Sequence, residues 1–212
     1  MATEHSIETL TLNCPSCGGT LHIEHAYTKT VVCSYCDTVS GVRDKTLNPT
    51  GKMANLSEAP SIFKVGVRGS LKGSHFEVLG RLRYSYDSGF WDEWYLKFAN
   101  GKAGWLTEEE GECTLFYKAP ILGETDVENV RVARKSLVNG TSVFITEIQS
   151  ASISGGEGQL NYAIVPGAKV DHIEGTANGE LYSVEVWDNE LEIHKGHAID
   201  YNDISIEQSS DE

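Results

Sequence analysis

Several features that would place a protein in a class are missing from this chain of 212 residues. No apolar run approaches the roughly 18 residues that a membrane-spanning helix needs. The first residues, Met1–His5, form neither a basic nor an apolar segment, so we expect no secretory signal. Positive charge is scarce, because 17 Lys and Arg stand against 31 Asp and Glu, a net charge of −14. These absences predict a cytoplasmic protein that does not span membranes and has no general affinity for nucleic acid.

Motifs that would identify an enzyme are also missing. The sequence has no G-x-x-x-x-G-K-[ST] phosphate loop, no H-E-x-x-H motif and no G-x-S-x-G nucleophile elbow. The glycine-rich stretch 155–158 opens no helix, so we interpret it as a flexible hairpin loop. His194 and His197 end a predicted strand and need not face the same way, and Cys113 is interpreted as a buried thiol. We therefore predict no catalytic residues, with an enzyme whose site lies hidden in the β-rich part as an alternative hypothesis.

Four of the five cysteines have the spacing of a zinc site. Cys14 and Cys17 form one C-x2-C pair, Cys33 and Cys36 form another, and fifteen residues separate the pairs. In zinc sites of this pattern, two tight turns place four thiolates around one metal ion. Four thiolates fill a tetrahedron and leave no position for water. We therefore predict one structural Zn²⁺ per chain, bound by these four residues.

Other interpretations of the cysteines are weaker. Disulfides need an oxidising compartment, and a redox C-x-x-C needs a βαβ unit that the sequence does not indicate. His22 and His25 lie between the two pairs, but four sulfurs suffice, so we expect neither histidine to be a ligand. Residues 20–24 alternate like a strand between the pairs. Together these features predict a zinc ribbon.

The rest of the chain alternates like short β-strands separated by glycine-containing turns. We predict an all-β fold, in which a small N-terminal zinc ribbon is followed by antiparallel meanders that form one or two small barrels or a sandwich. The β-rich part can be divided into halves at residues 61–118 and 130–206. The predicted organisation is a ribbon over residues 1–43, a linker over 44–60, an all-β domain over 61–206 and a disordered tail over 207–212.

The hairpin around Ser88 allows a prediction of register. A three-residue loop over residues 87–89 would pair Tyr86 with Phe90, and Arg83 would then lie opposite Glu93. One face of this hairpin is predicted to be core, and it carries Val78, Leu82, Trp94 and Phe98. The other face carries Arg81, Arg83, Trp91, Glu93 and Tyr95.

This second face has two interpretations. It could be a cross-strand ion pair with arginines stacked on aromatic rings, which contributes up to about 1 kcal/mol per pair. It could also be an interaction surface for a protein partner, because exposed Trp, Tyr and Arg are typical interface anchors. The two interpretations differ in whether the side chains support the fold or face a partner.

The same hairpin and its neighbours resemble a known family. The segments 76–81, 91–96, 104–106 and 110–112 look like the bacterial family catalogued as domain of unknown function 4178, over roughly residues 62–200. The resemblance implies no established activity and no catalytic residues. Members often carry an N-terminal zinc ribbon and are reported near genes for membrane-stress proteins and polyamine synthases. This setting implies an accessory role in a bacterial envelope-stress system.

These observations together predict a non-enzymatic, zinc-ribbon-containing binding or adaptor protein with an unidentified protein partner. A nucleic-acid-binding protein is an alternative, because zinc ribbons often serve that purpose. The low number of basic residues in and after the ribbon argues against it. These residues are Lys29, Arg43, Lys45 and Lys52.

The net charge of −14 makes the nucleic-acid alternative testable by gel shift. Binding to DNA or RNA is expected to be absent or very weak at about 150 mM salt, because the protein's field repels the phosphate backbone. Binding with a sub-micromolar dissociation constant at this salt concentration would show that a local basic patch outweighs the overall charge.

Overall fold

The computed structural model describes residues 10–23, 25, 27–54, 56, 60–187 and 190–207. The predicted all-β fold is confirmed, since these residues form β-strands and one 3-10 turn at Tyr201–Asp203, with no α-helix among them. No helix within these ranges could therefore cross a membrane. The strands are β1 (Leu10–Asn13), β2 (Thr20–Ile23), β3 (Thr30–Val32), β4 (Thr38–Arg43), β5 (Thr46–Lys52), β6 (Arg68–Leu71), β7 (Ser74–Tyr86), β8 (Gly89–Phe98), β9 (Ala103–Glu109), β10 (Glu112–Lys118), β11 (Lys135–Val138), β12 (Thr141–Leu160), β13 (Lys169–Ala177), β14 (Glu180–Trp187), β15 (Glu190–Ile199) and β16 (Ile204–Ile206).

Eight of these strands close into one antiparallel barrel. Their order around the wall is β7-β8-β9-β10-β15-β14-β13-β12, and pairing between β12 and β7 completes the circle. Each predicted half supplies one four-stranded meander, β7–β10 or β12–β15. A division into two domains does not describe this arrangement, because both edges of each meander pair with the other meander. The two halves therefore form one closed unit.

The glycine-rich stretch 155–158 is part of a strand and not the predicted hairpin loop. It lies within β12, and Gly156 is paired with Leu82 of β7. A Cβ atom on Gly156 would lie 2.9 Å from Cδ2 of Leu82, and one on Gly158 would lie 2.3 Å from the carbonyl oxygen of Leu79. Glycine is therefore needed here because the two strands that close the barrel approach too closely for side chains.

Much of the predicted linker is also a strand. β5 pairs with β4 along its length, and Asp44 and Lys45 between them have φ angles of 50° and 60°. Two successive left-handed residues are typical of the tight turn of a β-hairpin. β5 lies at the edge of the sheet, so most of its side chains are exposed and polar. A strand of this composition is easily mistaken for a linker in the sequence. Of the predicted disordered tail, only Glu207 lies within the described residues, and its backbone N–H donates to the carbonyl oxygen of Arg68.

The ribbon strands continue the sheet of the barrel. β3 pairs with the end of β12, where Thr30 lies opposite Leu160. The buried Thr30 hydroxyl donates to the carbonyl oxygen of Tyr162 at 2.7 Å and accepts from the backbone N–H of Ile164 at 3.2 Å. The apolar cluster of the barrel interior also contains Val32 and Val39 of the ribbon, and Met53, which follows β5. Ribbon and barrel therefore share one core.

The barrel wall is buried on both of its sides. On the outside, two apolar clusters cover the wall, one over β7–β10 and one over β11–β15. Phe63 and Leu71 take part in the first cluster, while Val127 and Val130 pack against the second. Burial of such side chains stabilises the fold by about 1.5–3 kcal/mol each. Because the outer clusters supply much of this apolar burial, the interior of the barrel can carry polar groups.

Candidate functional site

The four predicted cysteines converge into one cluster. The Sγ atoms of Cys14 and Cys36 lie 3.7 Å apart, as do those of Cys17 and Cys33. Metal–sulfur bonds of about 2.3 Å place the sulfurs of a tetrahedral site about 3.8 Å apart. A disulfide would need a sulfur–sulfur distance of about 2.05 Å, and all four cysteines are free. The cluster could therefore hold a metal ion.

Two similar turns build this cluster. In the first, the N–H of Gly18 donates to the carbonyl oxygen of Cys14 at 2.9 Å, and in the second the N–H of Asp37 donates to that of Cys33 at 2.9 Å. Gly18 and Asp37 both have left-handed φ angles, of 77° and 58°. The N–H of Gly19 also points at the Cys17 sulfur, at 3.4 Å. Such amide donors stabilise a thiolate, which is the form that binds metal.

The two histidines of the ribbon contact other partners. Nδ1 of His22 lies 3.3 Å from the hydroxyl oxygen of Thr11. Nδ1 of His25 lies 2.8 Å from Nζ of Lys97 on the barrel. The metal-ligand cluster found among the described residues of the ribbon contains only the four cysteines.

The predicted interaction surface does not form, because the hairpin register is shifted by one residue. The turn contains two residues instead of three, so Tyr86 pairs with Gly89 and Arg83 pairs with Asp92. A shift of one residue moves every side chain of β8 to the opposite face. Arg83 and Glu93 therefore lie on opposite faces of the hairpin. All five residues of the predicted surface are also buried, namely Arg81, Arg83, Trp91, Glu93 and Tyr95.

The predicted core face is divided as well. A bulge between Val78 and Gly80 reverses the alternation of side chains along β7. Leu82 consequently belongs to the interior cluster, whereas Val78 belongs to the outer cluster over β7–β10. Trp94 and Phe98 join Val78 in that outer cluster.

Arg81 and Arg83 form a buried ion cluster with Asp92 on the outside of the wall. Nη2 of Arg81 lies 2.7 Å from Oδ2 of Asp92, and Nε of Arg83 lies 2.8 Å from its Oδ1. The guanidinium of Arg81 stacks 4.7 Å from the Trp94 ring centroid, and that of Arg83 stacks 3.9 Å from the Phe90 centroid. The arginines thus pair and stack as in the first interpretation of this face, with Asp92 instead of Glu93 as the carboxylate.

Replacement of this carboxylate is expected to destabilise the barrel. Asp92→Asn removes the carboxylate that both buried guanidinium groups contact at 2.7 Å, which should lower the free energy of unfolding by about 3–5 kcal/mol. Asp87→Asn, in the exposed turn of the same hairpin, should change it by less than about 0.5 kcal/mol. Urea unfolding of the two variants measures the difference, and equal stability of both would contradict a structural role for Asp92.

A second cluster of polar residues lies inside the barrel, and the sequence analysis did not identify it. It consists of Glu93 on β8, His172 on β13 and Glu185 on β14, whose ligand-type atoms all lie within 4.8 Å of one another. Their exposed fractions are only 5%, 5% and 4%. His172 and Glu185 are direct cross-strand partners. Trp91 of β8 contacts His172 of β13, and these strands are not neighbours in the wall, so the contact crosses the interior.

Aromatic side chains fix the orientation of this cluster. Nε1–H of Trp91 donates to Oε1 of Glu93 at 3.1 Å. The imidazole of His172 meets the Trp91 ring edge-on, with centroids 4.8 Å apart at 87°, and the Tyr84 ring at 5.1 Å and 77°. Packing of this kind limits the rotamers of the imidazole and the carboxylate.

Several polar atoms of the interior have no hydrogen-bond partner in the part of the chain that the structure describes. They include Nε2 of His172, Oε2 of Glu185 and both ring nitrogens of His194. His194 is 2% exposed, and its Nδ1 lies 3.5 Å from Oε1 of Glu185. An unsatisfied buried polar group costs about 1–3 kcal/mol, so these atoms favour a water molecule or a ligand as their partner.

Burial also shifts the protonation of the cluster. It raises the pKa of Glu93 to about 7, against the hydrogen bond from Trp91, which lowers it. Burial, and then the charge of Glu93, raise the pKa of Glu185 well above its usual value. Burial lowers the pKa of His172 to about 3 and that of His194 to about 4. Both imidazoles are therefore neutral at neutral pH and keep a free lone pair.

A small cavity of about 40 Å³ lies beside this cluster and is lined by one of its residues, His172. The buried side chains of Trp91 and His172 line this cavity. Three carboxylates also line it, namely those of Glu109, Glu147 and Glu174. The cavity is larger than the roughly 10–15 Å³ that one water occupies. It is much smaller than the roughly 300–1,000 Å³ of pockets for organic ligands. Its size therefore suits an ion or a few waters.

Comparison with known proteins identifies the family of the chain. A family model described as a domain of unknown function, DUF4178, matches residues 64–201. The chain belongs to this family. The match includes all eight strands of the barrel and begins after the cysteine cluster. Searches of curated proteins and of solved structures gave no significant match.

Proposed function

We propose that this protein is a non-enzymatic binding protein, in which a structural zinc ion fixes the ribbon and the barrel interior receives a small cation. The observation that carries the proposal is a group of buried polar atoms inside the closed barrel, on His172, Glu185 and His194, that have no hydrogen-bond partner among the described residues. Buried ionisable side chains with shifted pKa values in a cleft or cavity are typical of functional sites. The excess of carboxylates in the cavity favours a ligand of positive charge.

A binding role is favoured over catalysis by the chemistry of the interior. Carboxylates, neutral imidazoles and aromatic rings line it, and these groups bind cations well. The barrel thiol, Cys113, belongs instead to the outer cluster over β7–β10. Burial raises the pKa of this thiol to about 12, which keeps it in the unreactive protonated form.

Zinc is the metal that best suits the four cysteines. Thiolate ligands in a tetrahedron are typical of structural Zn²⁺, and the sulfur–sulfur distances of 3.7 Å agree with that geometry. The bound ion would stabilise the two turns of a ribbon that is too small to fold on its own core. Because the ribbon shares a core with the barrel, we propose that the zinc ion also supports the end of the barrel near β3.

The zinc assignment is testable by elemental analysis of purified variants. Cys17→Ser is expected to reduce the zinc content by one ion per chain and to lower the melting temperature, since a thiolate ligand is lost. Cys113→Ser should leave the zinc content unchanged, because this thiol lies outside the cluster. A well-folded wild-type protein without metal would contradict the assignment.

The binding role of the interior is testable by comparing two buried carboxylates. Asp92 is paired with two arginines, whereas Oε2 of Glu185 has no hydrogen-bond partner among the described residues. Glu185→Gln removes a buried ionisable group that no cation of the fold contacts in that range, so the variant should be at least as stable as the wild type. Urea unfolding of zinc-loaded protein measures this. A loss of more than about 2 kcal/mol would show that Glu185 is structural.

The cellular setting that we propose follows from the family resemblance and the composition. A cytoplasmic location agrees with five free cysteines, since thiols stay reduced there. A protein partner in a bacterial envelope-stress system agrees with the reported gene neighbourhood of the family. The net charge of −14 favours a basic surface on that partner.

A further inference from the structure

We propose that Glu93, His172 and Glu185 form a second metal site, inside the barrel, that binds a divalent transition-metal ion. This inference rests on the proposed binding function and names the class of the ligand. The site is separate from the cysteine cluster, since its residues come from β8, β13 and β14 and not from the ribbon.

The donor set selects the class of metal. Two carboxylates and one imidazole combine oxygen and nitrogen donors, a mixture that suits divalent ions such as Mn²⁺, Fe²⁺, Co²⁺ and Zn²⁺. Ca²⁺ and Mg²⁺ prefer oxygen ligands alone. Binding of the ion would release the protons of the two carboxyl groups, and the resulting carboxylates would balance the charge of a divalent ion. The imidazole of His172 therefore distinguishes this site from a general acidic cluster.

The distances are compatible with a single bound ion. Metal–ligand bonds of about 2.0–2.2 Å place neighbouring ligand atoms about 3–4 Å apart. The ligand-type atoms of the three residues lie within 4.8 Å of one another. The ligand atoms would therefore have to approach one another by about 1 Å when an ion binds.

A second observation, independent of the distances, also indicates a ligand: buried polar atoms of the site have no hydrogen-bond partner among the described residues. Nε2 of His172 and Oε2 of Glu185 have no hydrogen-bond partner among the described residues, and the two side chains are only 5% and 4% exposed. The imidazole of His194 lies 3.5 Å from Glu185 and also lacks hydrogen bonds to both of its ring nitrogens within those residues. A metal ion would accept the lone pairs that the fold leaves unused.

The surroundings of the three residues have the properties of a metal site. Metal ligands are usually held by an outer set of hydrogen bonds and packing contacts. The indole N–H of Trp91 holds Glu93 at 3.1 Å, and the rings of Trp91 and Tyr84 hold His172. The cavity of about 40 Å³ lies against His172. The carboxylates of Glu109, Glu147 and Glu174, which also line it, would attract cations to this side of the site.

Manganese titration of the zinc-loaded protein tests the site. Mn²⁺ binds weakly to thiolate sites and does not displace Zn²⁺ from them, and its electron paramagnetic resonance signal counts free and bound ions. The wild type is expected to bind one Mn²⁺ per chain. Glu185→Gln and His172→Phe should each weaken binding at least tenfold, and His172→Phe keeps an aromatic ring against Trp91 and Tyr84.

A matched control distinguishes the site from general attraction by negative charge. Glu147→Gln removes an exposed carboxylate that lines the cavity but does not belong to the site. It should weaken Mn²⁺ binding by less than about threefold, the order expected for one screened charge. Circular dichroism of each variant confirms that it is folded. If Glu147→Gln weakens binding as much as Glu185→Gln does, the barrel only attracts cations and the metal site is wrong.

Two further results would also overturn the metal site. One is the failure of both Mn²⁺ and Co²⁺ to bind the folded, zinc-loaded protein. The other is displacement of Mn²⁺ by Ca²⁺ at equal concentration, which would indicate oxygen ligands alone. The proposed binding function is judged separately, by the stability of Glu185→Gln. If Glu185→Gln is stable but the wild type binds neither Mn²⁺ nor Co²⁺, the binding function is retained and only the metal is rejected.

Discussion

The pairing of β12 with β7 is the constraint on which the rest of the structure depends. Together with the pairing of β10 and β15, it joins two four-stranded meanders into one closed wall, and it brings the backbones so close that a Cβ atom on Gly158 would lie 2.3 Å from the carbonyl oxygen of Leu79. Without this pairing, each meander would expose one further edge, on β7 or β12, and exposed edges favour association with other chains. Closure also gives the wall two distinct sides. An enclosed interior exists only because the circle is complete.

Closure also explains why apolar side chains cover the outside of the wall while polar groups occur in its interior. The outer clusters bury apolar side chains against the segments before β7, between β10 and β12, and after β15, and they supply much of the hydrophobic stabilisation. The interior can then hold polar groups whose hydrogen bonds the described residues do not complete, such as Glu185 and His194. The two sides of the wall provide different surroundings for a buried carboxylate. Asp92, on the outside, is paired with two arginines, whereas Oε2 of Glu185, on the inside, has no hydrogen-bond partner in the described part of the chain.

The ribbon is held by contacts with the barrel as well as by its own cysteine cluster. β3 extends the sheet from the end of β12, and Thr30 exchanges hydrogen bonds with the chain after that strand. Val32, Val39 and Met53 complete a cluster that begins inside the barrel. The cysteine turns therefore stabilise an element of the common core. The cluster contains no histidine, because His25 is held by Lys97 of the barrel instead.

The sequence by itself determined those features that depend on residues close together in the chain. The C-x2-C pairs, the alternation of strands β7–β10 and the all-β class follow from local spacing, so they could be predicted. The register of the β7–β8 hairpin depends on a single residue in the turn, and the prediction that Tyr86 pairs with Phe90 was wrong for that reason. Only the tertiary structure decided the closure at Gly155–Gly158 and the meeting of Glu93, His172 and Glu185. These residues come from strands far apart in the sequence, and a polar residue within a strand gives no sign of whether it faces solvent or the interior of a barrel.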